Sequence, residues 1–232
     1  MELLSASGRE LDEEVLLDAL GVEGGDPGVE EGLDHIERLV DQGLLVERRA
    51  GLQQLLDFSH PKVGEVLYRG LPGERRRDLH ARLGAALELR ESLNPMAAEA
   101  IGEHFRLGED SVKAYRHLTR AAVGMWERSL LGEASKLAAR AAGLEPHASA
   151  GLAADDQARL RRDLLRVRAA VAYNKGQWPE ARESLTALRD AALTAEDPGV
   201  AARAGLELGT VMRRLGERGL AEGLVRDVLG PA

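Results

Sequence analysis

The stretch Phe58-Ser59-His60-Pro61-Lys62-Val63-Gly64-Glu65-Val66-Leu67-Tyr68-Arg69-Gly70-Leu71-Pro72-Gly73-Glu74-Arg75-Arg76-Arg77-Asp78-Leu79-His80 fixes the order of the elements around it. A short strand ends in Phe58, a helix opens after His60-Pro61, and a second helix opens after Pro72. Proline suits the first turn of a helix, where its missing N–H would have had no partner. On the N-terminal side the hydrophobic period changes. Leu44 to Arg49, the turn Ala50-Gly51, and Leu52 to Phe58 predict a two-stranded ribbon, the one good β signal in the chain. Before it, Val29 to Gln42 places Val29, Leu33, Ile36, Leu39 and Val40 at core spacing and stops at Gly43. Gly21 to Gly28 is rich in breakers, and Leu11 to Leu20 predicts the first helix, with Val15, Leu16, Ala19 and Leu20 on one face.

On the C-terminal side only helices are expected, over about 74–92, 96–107, 110–130, 132–143, 156–175, 178–193, 199–215 and 218–229. The fold class is therefore mainly α, with one small β-hairpin. The later helices repeat. Leu208-Gly209, Met212, Gly216, Ala221, Val225 and Val228-Leu229 follow the small-and-large spacing of tetratricopeptide helix pairs. Ala169, Ala172, Gly176, Ala181, Leu185 and Leu188 fit the same frame, as do Ala122, Met125, Ala134, Ala138, Ala141 and Pro146. Small residues let antiparallel helices approach, and large ones fill the groove between repeats. The key alanines are 47 and then 40 residues apart, against about 34 in the standard repeat. Extra loop residues at His147 to Asp155 and at Thr194 to Pro198 are expected to hold the excess.

Composition removes several function classes. The chain of 232 residues has no cysteine, which excludes disulfides, thiolate catalysis and zinc–thiolate sites. No apolar run approaches the ~20 residues of a membrane span, and the start MELLSASGRELDEE lacks the basic and apolar regions of a signal peptide. A cytoplasmic protein without membrane contact is expected. Residues 1–57 hold 15 acidic and 4 basic side chains, so the first quarter carries the whole acidic excess behind the net charge of −8. Such a surface repels nucleic-acid phosphates, and aromatics at 3% leave few stacking platforms for bases.

Catalytic and ligand motifs are missing. There is no GxxxxGK[ST] and no GxGxxG, and a phosphate at the Gly21–Gly28 loop would face Glu30, Glu31 and Asp34. The histidines at 35, 60, 80, 104, 117 and 147 form neither HExxH nor His-x-His. Glu103-His104 on one helix and His117 on the next are the nearest approach to a metal site, and His80 suits a packing or interface role. No GxSxG occurs, and Ser5, Ser7, Ser59 and Ser129 have no base nearby in sequence. No cofactor is expected. Arg75-Arg76-Arg77 with Arg82 sits beside Glu74 and Asp78, as Arg161-Arg162, Arg166 and Arg168 sit near Asp155, Asp156 and Asp163. Both groups fit solvated helix faces better than phosphate sites.

Phe58 to His80 resembles the closing part of the winged-helix domain that follows the nucleotide-binding core in bacterial STAND-type signalling ATPases. Ala98 to Leu118 is similar to the first helical hairpin after that domain. Helix, helix, hairpin, helix is winged-helix order. The resemblance implies a winged-helix domain over residues 1–92 and a tetratricopeptide-like helical-repeat arm, an α-solenoid, over 93–232. Proteins of that kind sit beside LuxR-type DNA-binding, Ser/Thr kinase or cyclase domains. By that resemblance His60 corresponds to the winged-helix histidine that reaches bound nucleotide, a role it would have only with a nucleotide-binding core present, in cis or in trans.

The function implied is a non-catalytic regulatory and protein-interaction module relaying nucleotide or inducer state, with a protein partner on the arm. The nucleotide-binding core and any output domain are missing, so a fragment or a truncated relative of a longer polypeptide is expected. The alternative is a DNA-binding transcriptional regulator using the winged helix. Against it, the helix before the wing offers Glu30, Glu31, Asp34, Glu37 and Asp41 with one arginine, Arg38, to the major groove, and only Arg48 and Arg49 at the wing tip favour DNA.

Overall fold

Asp12 decides how the chain begins. Its backbone is extended and its carboxylate accepts the Glu14 N–H at 2.9 Å, so it caps a helix that starts at Glu13. Sequence spacing predicts that helix from Leu11. Instead Leu11–Asp12 forms a two-residue strand, preceded by a helix over Glu2–Ser7 that ends at Gly8 in the left-handed region. The computed structural model describes residues 1–21, 27–51, 53–90 and 95–229. The predicted loop over Gly21–Gly28 falls mostly on 22–26, outside the described residues, as do Leu52 and the terminal Gly230-Pro231-Ala232.

The chain divides into two compact units, Met1–Ala114 and Tyr115–Ala232. The first contains α1 (Glu2–Ser7), β1 (Leu11–Asp12), α2 (Glu13–Leu20), α3 (Pro27–Asp41), β2 (Leu45–Ala50) and β3 (Gln53–Phe58). It continues through α4 (Pro61–Gly70), α5 (Gly73–Leu89) and α6 (Pro95–Leu107). The expected two-stranded ribbon is the β2–β3 hairpin, paired from Leu45↔Phe58 to Ala50↔Gln53. β1 adds a third antiparallel strand on the other side of β3, with Leu11 opposite Leu56. Two residues are too few to show a period, which is why the sequence places them in a helix.

Leu4, Leu16, Ile36, Leu45, Leu56, Phe58, Leu79 and Leu83 form the core of this unit, between the sheet and the helices. Burying each large apolar side chain contributes about 1.5–3 kcal/mol before entropy is counted. Val15, Leu16 and Ala19 face inward as their spacing predicts, whereas Leu20 at the helix end is exposed. Ser59 ties the hairpin to the end of α3 by donating its hydroxyl proton to the Gly43 carbonyl at 2.6 Å. The exit angle of α4 follows from Gly64, where a Cβ would come within 2.8 Å of the Phe58 ring.

α7 (Ser111–Glu127) leads into the second unit, which continues with α8 (Leu131–Ala148), α9 (Ala154–Asn174), α10 (Trp178–Thr194), α11 (Pro198–Arg214) and α12 (Arg218–Leu229). α10, α11 and α12 begin at 178, 198 and 218, a pitch of 20 residues. Each join is one device. The N–H groups of Gln177, Asp197 and Glu217 return to the carbonyls of Ala172, Ala192 and Met212, each at 2.9 Å. Gly176, Glu196 and Gly216 take the left-handed conformation between them.

The 40-residue spacing expected to come from extra loop residues comes instead from long helices joined by three-residue turns. The 47-residue spacing before it reflects α9, 21 residues long against 17 for α10 and α11, and an α8 that runs on through Pro146. Ala134, Ala138, Ala141, Ala169, Ala172, Ala181 and Ala221 are all buried, as crossing-point residues must be. Among the described residues, no helix is long and apolar enough to cross a membrane.

Candidate functional site

His60 sits at the N-cap of α4 with an extended backbone, exposed, and its imidazole makes no cap hydrogen bond. The arginine run beyond it is engaged within the protein. Arg75 pairs with Glu2 at 2.8 Å and Asp78 at 3.0 Å, and Arg77 pairs with Glu109 at 3.0 Å. Arg76 donates to the carbonyls of Leu71 and Arg69, and its guanidinium lies 5.2 Å from the Tyr68 ring centroid. Arg82 donates to the Ala19 carbonyl at 2.7 Å. These partners include Glu2 and Glu109, distant in sequence from the Glu74 and Asp78 that proximity suggests.

On the sheet, Arg48 and Arg49 are exposed on β2, opposite Leu55 and Gln54. Glu31, Asp34, Glu37 and Asp41 are exposed on α3. Among the described residues no three His, Asp or Glu side chains are grouped to hold a metal ion.

Two arrangements that the sequence did not assemble stand out. In the first unit, half-buried Tyr68 and buried His80 and His104 form a hydrogen-bonded line from α4 through α5 to α6. His104 thus faces His80 rather than serving a metal site. The helical phase carried this signal: His80 follows Leu79 on the core face, and His104 lies between Ile101 and Phe105, all buried. Burial pushes both imidazoles below the ordinary histidine range. His104 falls to about 4, with His80 and Arg9 adding to the effect of burial, and Arg106 adds to the effect at His80.

In the second unit, α9 and α11 flank a groove of about 290 Å³ floored by Leu185 and Leu188 of α10. Its lining recurs at one-turn spacing: Arg166, Ala169–Ala170 and Tyr173–Asn174 on α9; Val200, Arg203–Ala204 and Glu207 on α11. Trp126 of α7 also lines it. Tyr173 is braced edge-to-face by Trp178, ring centroids 5.4 Å apart, and Asn174 donates to the Ala170 carbonyl. Arg203 leans towards Glu207 at 3.3 Å, while Arg166 makes no hydrogen bond or close ion pair among the described residues. The groove is an apolar slot with an aromatic wall and a guanidinium at its edge. It contains no nucleophile–base pair.

No protein-family model matches the chain, and no curated protein matches it. Among solved structures it is similar to a Signal Transduction ATPase with Numerous Domains (STAND) protein with a tetratricopeptide repeat sensor from Pyrococcus horikoshii, at 13% identity and a TM-score of 0.34. The match covers 97% of this chain and 43% of that one, so the chain spans less than half of that protein's length.

Proposed function

We propose that this chain is the regulatory and protein-interaction module of a STAND-like signalling ATPase or regulator, cytoplasmic and without catalysis or cofactor of its own. The order α1-β1-α2-α3-β2-β3, with β1 and β2 on either side of β3, supports reading residues 1–92 as a winged helix. The regular 20-residue pitch of α10 to α12 supports reading residues 93–232 as a tetratricopeptide-like arm. The observation that carries the proposal is the groove between α9 and α11. Alternate helices line it, as in the concave face of a solenoid, and its apolar floor and aromatic wall suit a protein segment. His60, exposed at the start of α4, is the residue through which nucleotide state would reach the arm once a nucleotide-binding core lies against it.

The test is a pull-down from native extract with and without nuclease, repeated with Ala170→Phe to fill the groove. A nuclease-resistant protein lost in the variant supports the module reading. ATP turnover by the isolated chain sinks it. The second reading, DNA binding, is favoured by the exposure of Arg48 and Arg49 and opposed by the carboxylates exposed along α3. It predicts duplex binding that falls with salt and disappears in Arg48→Ala/Arg49→Ala.

A further inference from the structure

The Tyr68 hydroxyl lies 2.8 Å from His80 Nε2, and His80 Nδ1 lies 2.9 Å from His104 Nδ1. His80 is 3% exposed and His104 7%. Each of the two contacts needs one proton, no more and no fewer. With both imidazoles neutral the line holds three: two in the contacts and one at either end, on His104 Nε2 or on a Tyr68 hydroxyl turned outward. One added proton occupies both ends at once and leaves both contacts intact. A second added proton has nowhere to go, because it would protonate both Nδ1 atoms and set N–H against N–H between His80 and His104.

Burial and the cations facing this line oppose even the first proton. Arg76 of α5 stacks over the Tyr68 ring, Arg106 of α6 faces His80, and Arg9 from the segment after α1 faces His104. The carboxylate beside them on α6, Glu103, is held by Arg106 at 2.8 Å. His104 also lines the cleft that contains Arg9, Arg90 and the carboxylates Glu10, Asp12, Glu13 and Glu14, so a proton has a route to its outer edge. Those carboxylates favour the proton, Glu14 being paired with Arg90, and burial with the nearer cations outweighs them at His104.

We propose that Tyr68, His80 and His104 form an acid-sensitive latch that fastens α6 to α5 and α4 while neutral and releases α6 when protonated. The fastening acts on α6 because the line crosses from α4 to α5 to α6, with His104 its only member on α6. The sign follows from the direction of the shifts. Both histidines bind protons more weakly in the closed state than in an open one. The latch is therefore fully effective above the ordinary histidine pKa of about 6.5 and weakens as pH falls from there towards His104's value of about 4. With those two values for His104 alone, the closed-to-open ratio falls about twenty-fold between pH 7 and pH 5.

Native-state hydrogen exchange on the full chain, corrected for the intrinsic pH dependence of exchange, reads this directly. The expected result is a loss of protection in α6 amides of about twenty-fold from pH 7 to pH 5, with amides of α2 and α11 changing less than three-fold. In His104→Asn the pH dependence in α6 should flatten. Should that variant not fold, two further measurements decide. Tyr68→Phe keeps both imidazoles and should lower α6 protection at pH 7 while retaining its fall with acid. NMR titration of the wild-type imidazoles should find His80 and His104 titrating below the ordinary histidine range. The proposal is overturned if α6 protection is flat between pH 7 and pH 5, if α2 loses protection equally, or if both imidazoles titrate near 6.5.

Discussion

Gly108 lies so close to Ala81 that a Cβ at position 108 would come within 2.8 Å of the Ala81 backbone nitrogen. The contact fixes where α6 ends against the third turn of α5, and backbone on one side leaves nothing to swing away. The turn itself is built from the Gly108 N–H returning to His104 and the Asp110 N–H returning to Phe105 at 2.9 Å.

Gly108→Ala should therefore destabilise the first unit by about 1–3 kcal/mol, the usual cost of overpacking where the backbone must shift. Alanine in an ordinary helical position would instead be favourable. Urea unfolding that shows an unchanged or raised midpoint would show that α5 and α6 do not approach this closely in solution. Gly84→Ala makes a milder companion, since its Cβ would meet the Phe105 ring at 3.0 Å and a ring can tilt by a few tenths of an ångström.

Helices were legible because leucine and alanine recur at one-turn spacing almost throughout, and the β2–β3 hairpin because the period changes sharply at Leu44. What the sequence hid has physical reasons. β1 is two residues long, α1 is a single short helix, and neither spans enough residues for a period to show. The source of the 40-residue repeat was misplaced because Glu196 stands where Gly176 and Gly216 mark the other joins, so the join at 195–197 carries no glycine. The pairing of His80 with His104 depends on the register of α5 against α6, a tertiary fact. Helical phase shows each ring to be inward without saying what it meets.

Glu196 has a φ of 53°. The left-handed region costs a residue with a Cβ roughly 1 kcal/mol or more, and glycine nothing, although glycine gives back some of that in the unfolded chain. Glu196→Gly should thus raise the stability of the second unit by about 0.5–1 kcal/mol. Ser129, with a φ of 62°, ends α7 in the same way, so Ser129→Gly should move the thermal midpoint in the same direction. Controls at helical positions, such as Glu180→Gly in the first turn of α10, should lower it.

Tyr115 is fully buried, and its hydroxyl has no hydrogen-bond partner among the described residues. Burial pushes its pKa well up, so the group stays neutral, yet it still loses its water partners on folding. Tyr115→Phe should accordingly be neutral or stabilising by up to about 1 kcal/mol, where the same change at a satisfied buried tyrosine costs about that much. A loss above 1 kcal/mol in chemical denaturation would reveal a partner for the hydroxyl, such as a bridging water.

Tyr173 and Ala170 separate what the groove does for stability from what it does for binding. Tyr173 packs edge-to-face on Trp178, which carries Arg214 6.0 Å over its ring, so the three hold the turn between α9 and α10. Tyr173→Ala should cost about 1 kcal/mol from the lost aromatic pair, in addition to weakening a ligand. Ala170 is half-buried and lines the open slot. A larger side chain there projects into empty space, so Ala170→Phe should leave the thermal midpoint within a degree or two. Partner capture should nonetheless fall at least ten-fold. If Ala170→Phe binds as the wild type does, the partner docks elsewhere on the arm, and the exposed Leu193, Leu206 and Leu220 become the next surface to mutate.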